Sequence, residues 1–348
     1  MGDLLKTGFS KHDLEKTDVE VIVVCSAYNQ ESYIESALKG FISQETTFPF
    51  LVLVHDDASQ DGTPEIIRSY EAAYPSIIKG IYESENQYSQ GNYHWYNEYL
   101  EQSGAKYIAL CEGDDYWIDA DKLQKQYNAL NENPEAHFCF TNAKMIDGRS
   151  GADHGDMLPR NKKDNDILSN APVLTSEDVM SLDFIPTATF FADRAVWLQE
   201  PKYPEGVFSG DRAHQLFLAS TGPSVFLDVS TAAYRVGSVG SAMASWNRTA
   251  TGLIASIKRY VKLYEFFDDY TKGRFSKTIA PLHDDKVLSL MYGTGDRTLL
   301  SWRRALLAAV RRGGKYPILL LALYLCPTGV AATWSKRCTS DSQTSLIQ

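Results

Sequence analysis

Within four residues, Glu112, Asp114 and Asp115 bring three carboxyl groups to the end of an apolar run, in "YIALCEGDDYWIDAD". Carboxylates that close together repel one another and resist desolvation, so a chain either leaves them in water or supplies a cation. A second acidic pair, Asp56 and Asp57, closes the run in "VLVHDDASQDGT", and a third run ends in Ser26, Ala27, Tyr28 and Asn29. Further on, Asp211 follows a glycine and precedes an apolar stretch in "FSGDRAHQLFLASTG", and Arg235 closes "STAAYR". Each also has a plainer use: an acidic turn can cap the helix expected at "DADKLQKQ", "SQDGT" can be a polar turn, and Asp211 can cap the helix that begins at Arg212. None of the seven histidines forms a metal-spaced pair such as HExxH, which argues against zinc.

These residues need elements to hold them. The β-branched run from Val19 to Ser26 suits a strand buried on both faces. Tyr33, Ile34, Ala37, Leu38, Phe41 and Ile42 then recur at helical spacing, predicting an amphipathic helix over Glu31 to Gln44. The cycle repeats with "FPFLVLVHDD" as strand, "TPEIIRSYEAAYP" as helix, "SIIKGIYES" as strand, a helix near Tyr93 to Gln102, and "KYIALCE" as strand. Thr63, ahead of Pro64, offers a capping hydroxyl at a helix start. Alternating strands and helices imply crossover connections and an open, mostly parallel α/β sheet, whose ligand crevice lies beyond the carboxyl ends of the strands. The first, second and fourth strands end in the three unusual segments, so those segments should converge.

Residues 148 to 172 are polar and show no sustained period, which predicts a long mobile loop, either for substrate recognition or as a plain surface insertion. Beyond it we expect a helix at Ser176 to Ser181, a strand at "TATFFAD", a helix at "DRAHQLFLAS", a strand at "SVFLDVSTAAYR", and helices from Leu253 to Tyr270 and from His283 to Tyr292.

The 348 residues are 44% apolar, enough for a real core, and the net charge of -10 argues against a general nucleic-acid binder. Five scattered cysteines without CxxC pairing read as reduced residues of a cytosolic protein, and residues 1–18 contain no apolar stretch long enough for a signal peptide.

With "CSAYNQESYIESALKGFISQ", "VLVHDDASQDGT", "ENQYSQG" and "YIALCEGDDYWIDADKLQKQ" in this order, the chain resembles a family 2 glycosyltransferase of the GT-A fold, of the bacterial surface-polysaccharide type. The resemblance implies transfer of a sugar, with inversion, from a nucleotide-diphosphate donor to a glycan or polyprenyl-linked acceptor, with Mn or Mg as cofactor. It also implies roles: Glu112 toward the ribose, Asp114 on the metal, Asp115 on the metal or behind it, Asp57 on the base with Asp56 supporting its loop, and Asp211 as general base, with Asp193 and Glu205 in reserve. Ser26, Ala27, Tyr28, Asn29 and Gly113 would complete the donor site, with Tyr28 stacking on the base, and Arg235 would lie near the phosphates. Glu112 stands where the family more often has Asp, and Gly237 and Ser238 stand where many members carry His. Physically, Mg and Mn accept a few carboxylates plus substrate phosphate oxygens, which suits the acidic cluster.

The expected organisation is a lead over 1–18, a GT-A domain over 19–245 with a nucleotide-sugar half (19–145) and an acceptor half (146–245), a helical extension over 246–295, and a tail over 296–348. From Thr298 to Ser340 there is no acidic residue, against seven Lys and Arg. The apolar run from Ile318 to Cys326 is too short to span a bilayer, so the tail would lie on an anionic membrane at the cytoplasmic face or pack on the domain. Two rival readings are a sugar nucleotidyltransferase, which would bring a Gly-rich basic loop where "SAYNQESY" stands, and an inactive transferase-like scaffold.

Overall fold

The computed structural model describes residues 18–207, 210–238, 249–294, 306–311 and 318. The chain divides into two compact units, one of residues 1–201 with 217–240 and the other of residues 202–216 with 241–348.

The first unit is built on one sheet. Its strands are β1 (Val21–Ala27), β2 (Phe50–Asp56), β3 (Ile78–Tyr82), β4 (Tyr107–Leu110), β5 (Tyr116–Trp117), β6 (Phe138–Asp147), β7 (Asp153–Asp156), β8 (Val173–Leu174), β9 (Phe191–Asp193) and β10 (Ser224–Val236). The spatial order is β3-β2-β1-β4-β9-β6-β10-β5, with β7 beside β6 and β8 beside β10. The long registers are the parallel ones, β1 with β2 and β4, β2 with β3, and β6 with β10. The antiparallel pairings span two or three residue pairs each. β1 is central and its Val21, Ile22, Val23 and Cys25 are fully buried, as an unbroken apolar strand covered on both faces must be.

The helices Ile34–Ile42, Thr63–Ala73 and Lys122–Glu132 supply the cover. From the first of them Ile34, Ala37, Leu38 and Phe41 bury their side chains, and Phe41 meets Trp117 edge-on at 4.9 Å. Thr63 does not cap its helix as expected. It is the first helical residue, and its hydroxyl donates to Asp61 Oδ1 at 2.6 Å while accepting from the Gln30 amide at 2.8 Å, so the hydroxyl ties the turn after β2 to the turn after β1.

The stretch 148–172 corrects the expectation of a structureless loop. It contains β7, which pairs with β6, and the helix Lys162–Leu168, capped by the Asn161 side chain accepting from the Asp164 amide at 3.0 Å. β7 reads "DHGD" and lies on the surface, so no apolar alternation announces it. The expected strand over "TATFFAD" is a 3-10 turn, Thr187–Thr189, followed by β9.

In the second unit the helices Ala250–Tyr270 and Ser276–Thr294 pack together, longer than their expected spans, and bury Leu263, Phe267, Ile279 and Leu288. The segment 202–216 belongs with them: Tyr203 lies 5.3 Å from Phe266, and the Arg212 guanidinium 5.7 Å from the Tyr264 ring. Among the described residues, no helix is long and apolar enough to cross a membrane. Residues 1–17 of the expected lead over 1–18, the Cys326 and Cys338 positions and most of the 296–348 tail lie outside the described residues.

Candidate functional site

Because β2, β1 and β4 are neighbours in the sheet, their carboxyl ends fall side by side, and the segments after them meet. Two hydrogen bonds lock the arrangement. The Asp57 amide donates to Ala27 O and the Gly113 amide to Ser26 O, both at 2.9 Å. The end of β1 thus receives one amide from each neighbouring loop, which continues the sheet ladder one step past the strands.

Gly113 is required by space. A Cβ there would meet Gln30 Oε1 and stand 2.8 Å from Ile34 Cδ1 and 3.2 Å from Ala27 Cβ. Around it, Glu112 is exposed, Asp114 half-buried and Asp115 only 2% exposed. Asp115 Oδ1 accepts the Arg235 amide at 2.8 Å, and the Arg235 guanidinium donates to Asp114 O at 2.6 Å while lying 4.4 Å over the Tyr116 ring and 5.2 Å over Tyr33. The end of β10 is therefore fastened to the acidic turn. Negative charge is concentrated there: the buried Cys25 thiol is pushed well up, first by desolvation and then by the fields of Glu112, Asp114 and Asp115.

On the β2 side, Asp56 is buried and its carboxyl is pushed up by desolvation, partly offset by hydrogen bonds from Ser59, and its Oδ1 has no hydrogen-bond partner. Asp57 is also buried, and both its oxygens accept backbone amides, Oδ1 from Gln87 at 2.6 Å and Oδ2 from Tyr88 at 3.1 Å. Asn29 adopts the left-handed conformation at φ 51°, which asparagine tolerates, donating its amide to Ser59 Oγ at 2.9 Å and accepting from Gln60 N at 2.7 Å. Tyr28 between them is 45% exposed.

Several participants escaped sequence reasoning. Trp95 Nε1 donates to Ser26 Oγ at 3.0 Å, and its indole stacks on the buried His55 ring at 4.2 Å. Burial pushes His55 down to about 4, so at neutral pH its 3.4 Å approach to Glu83 is a contact of a neutral ring. Under the acidic turn, the fully buried Lys122 donates to Gln126 Oε1 at 2.5 Å and lies 4.4 Å over the Trp117 ring. Only a lysine at the head of an amphipathic helix, on its apolar side, hinted at this.

Asp211 is half-buried in the first turn of the helix Gly210–Ser220. Of the reserves, Asp193 Oδ1 accepts the Ala195 and Val196 amides and so caps the short helix Arg194–Trp197, while Glu205 is exposed in a turn. The cysteines Cys25, Cys111 and Cys139 are free and buried.

Residues 22–178 match the sequence profile described as Glycosyl transferase family 2. The uncharacterized protein Rv1520 of Mycobacterium tuberculosis is 36% identical over 183 residues, 53% of this chain and 48% of the relative. The putative teichuronic acid biosynthesis glycosyltransferase TuaG of Bacillus subtilis is 31% identical over 175 residues, 50% of this chain and 62% of the relative. The chain thus spans about half the length of the first curated relatives it matches. Among solved structures, S. aureus TarS 1-349 in complex with UDP-GlcNAc aligns with a TM-score of 0.53 at 16% identity, covering 93% of this chain and 91% of that one. The mannosyltransferase PcManGT from Pyrobaculum calidifontis, in complex with GDP-Man and Mn2+, aligns at 0.50 and 15%, covering 95% and 88%. At such identities the likeness is one of fold, and the fold is that of the GT-A glycosyltransferases.

Proposed function

We propose, from the match of residues 22–178 to the glycosyl transferase family 2 profile, that the chain transfers a sugar, with inversion, from a nucleotide-diphosphate donor to a hydroxyl of a glycan or lipid-linked acceptor in surface-polysaccharide assembly. The observation that carries the reading is the joining of the segments that follow β1, β2 and β4, with the carboxylates of Glu112 and Asp114 on the segment after β4. TuaG supports the pathway class by its name, and the neighbouring structures that hold UDP-GlcNAc or GDP-Man support the donor class.

The donor set fits a hard divalent cation: clustered carboxylate oxygens, with no thiolate or imidazole called for. Mn or Mg would be held by Asp114, with Asp115 behind it, since the Asp115 carboxylate already accepts the Arg235 amide and so fixes the turn. When bound, the ion supplies positive charge that stabilises the diphosphate. Glu112 faces the ribose, Tyr28 stacks on the base, and the guanidinium of Arg235, already held to the turn by Asp114 O, faces the phosphates. Asp211 takes the proton of the acceptor hydroxyl as that oxygen bonds to the anomeric carbon. The bond from that carbon to the diphosphate oxygen breaks on the opposite face, and the nucleoside diphosphate carries the electron pair away.

A lipid-linked acceptor brings the chain to an anionic membrane face, and the second unit has features suited to that. In the helical turn 306–311, Leu306, Leu307 and Val310 are each more than half exposed, while Ala308 and Ala309 are buried and Arg311 pairs with the buried Asp284 at 2.9 Å. The acid-free composition from Thr298 to Ser340 supplies the matching positive charge.

Thermal-shift titration with UDP, GDP, TDP and CDP, with and without Mn or Mg, tests the donor site. We expect metal-dependent stabilisation by one or more nucleotides, lost in Asp114→Asn and kept in Asp211→Asn, with the latter failing to transfer sugar. A flat response to every nucleotide would remove the donor-site assignment and favour an inactive scaffold.

A further inference from the structure

Beside the acidic turn the chain sets a cation and pairs it with no acid. Among the described residues, the Arg235 guanidinium forms one hydrogen bond, from Nη1 to the main-chain oxygen of Asp114, and no ion pair. What holds it otherwise is aromatic. The Tyr116 ring lies 4.4 Å away and the Tyr33 ring 5.2 Å, both inside the roughly 6 Å over which a ring face attracts a cation.

The fold fixes both rings. Tyr116 stands opposite Ala233 in the antiparallel pairing of β5 with β10, so Arg235, two residues further along β10, is its diagonal neighbour on the same face. Tyr33 is buried just ahead of the helix Ile34–Ile42, and its hydroxyl donates to Gly148 O at 3.3 Å. The Gly148 amide donates in turn to Val236 O at 2.7 Å, one residue past Arg235.

The kind of contact matters for what the arginine can still do. A carboxylate partner takes two guanidinium N–H groups at once in a forked pair. A ring attracts the charge without accepting in the guanidinium plane, so the N–H groups keep their capacity for acceptors. Resting on the donor reading above, we propose that Tyr33 and Tyr116 are positioning residues: they hold the Arg235 guanidinium off the neighbouring carboxylates and leave its remaining N–H groups for the diphosphate of the donor. A side chain held this way loses little further freedom when the anion arrives, which is the gain from preorganisation. A clasp that only fastened β10 to the acidic turn would act on any ligand of the site alike, whereas a held cation acts on the phosphate that meets it.

Calorimetric titration of the full chain in the presence of Mn, comparing UDP with UMP and GDP with GMP, tests this. At least one pair should bind the wild type. Arg235→Gln and Tyr116→Leu should each weaken the diphosphate about tenfold and the matching monophosphate less than about threefold, so the monophosphate also reports that the site is folded. Tyr33→Leu, at the other ring, should repeat that pattern. Tyr116→Phe keeps the ring face and should bind both nucleotides as the wild type does. The double variant of Arg235→Gln with Tyr116→Leu should bind the diphosphate no more weakly than Arg235→Gln alone, since the ring acts through the guanidinium. Unchanged diphosphate binding in both leucine variants, equal loss of mono- and diphosphate, or losses that add in the double variant would overturn the proposal. Failure of all four nucleotides to bind the wild type would instead overturn the donor reading.

Discussion

Lys122 gives the most quantitative handle on the ground beneath the acidic turn. Its amine is fully buried at the head of the helix Lys122–Glu132, with Gln126 Oε1 as its hydrogen-bond acceptor and the Trp117 ring beneath it, and burial pushes it down to about 7. An unfolded lysine titrates near ~10.4. The sign follows from proton counting. Below about pH 7 both states are charged, and the folded state bears the whole penalty of the buried cation, roughly 5 kcal/mol. Between that pH and ~10.4 the unfolded chain binds more protons, so stability rises with pH, and above both values the penalty is gone. Lys122→Met keeps the stem volume and removes the charge, at the cost of a stranded Gln126 oxygen, about 1–3 kcal/mol, and of the ring contact, about 1 kcal/mol. At pH 6 the variant should therefore be more stable by roughly 1–3 kcal/mol, and by pH 9.5 the wild type should have regained about 3 kcal/mol, reaching or passing it. Denaturant unfolding of both proteins at pH 6, 7.5 and 9.5 reads the difference, in which all other titrating groups cancel. A difference that does not change with pH, or a wild type more stable at pH 6, would refute the claim that a desolvated cation sits over the Trp117 ring.

Two further outcomes are expected. In Gly113→Ala the new methyl is blocked by Gln30, Ile34 and Ala27, so the variant should lose about 1–3 kcal/mol of stability and, because relief requires the acidic turn to leave β1, most of its metal-dependent nucleotide binding in the thermal-shift assay. Replacing Leu306, Leu307 and Val310 together by Ser should cut co-sedimentation with anionic vesicles several-fold while leaving unfolding unchanged, since the buried contacts of that helical turn come from Ala308, Ala309 and Arg311. Wild-type binding should weaken at about 0.5 M salt, and equal binding to neutral vesicles would argue against charge complementarity.

What the sequence disclosed and what it withheld follow from range. β1 and β2 were legible because a strand buried on both faces is a run of β-branched residues, and such a run needs no knowledge of its partners. The acidic turn was legible because carboxylates at that density after an apolar run have few structural uses. β7 was not, since "DHGD" lies on the surface and is a strand only because β6 runs beside it. Asp57 shows the limit within the site: its residue type promised an acceptor, but what it accepts from lies thirty residues on, in the "ENQYSQG" segment, and nothing in the sequence pairs the two. The acidic turn carries this furthest. It is held at β1 by the Gly113 amide and at β10 by Arg235, whose backbone N–H reaches Asp115 across 120 positions of sequence. Its carboxylates therefore keep their spacing only if the strands on both sides are in register. Any substitution that slips β10 against β6 should then weaken the acidic turn without touching an acid, and the chemistry of "CEGDD" is in this sense a property of the whole sheet.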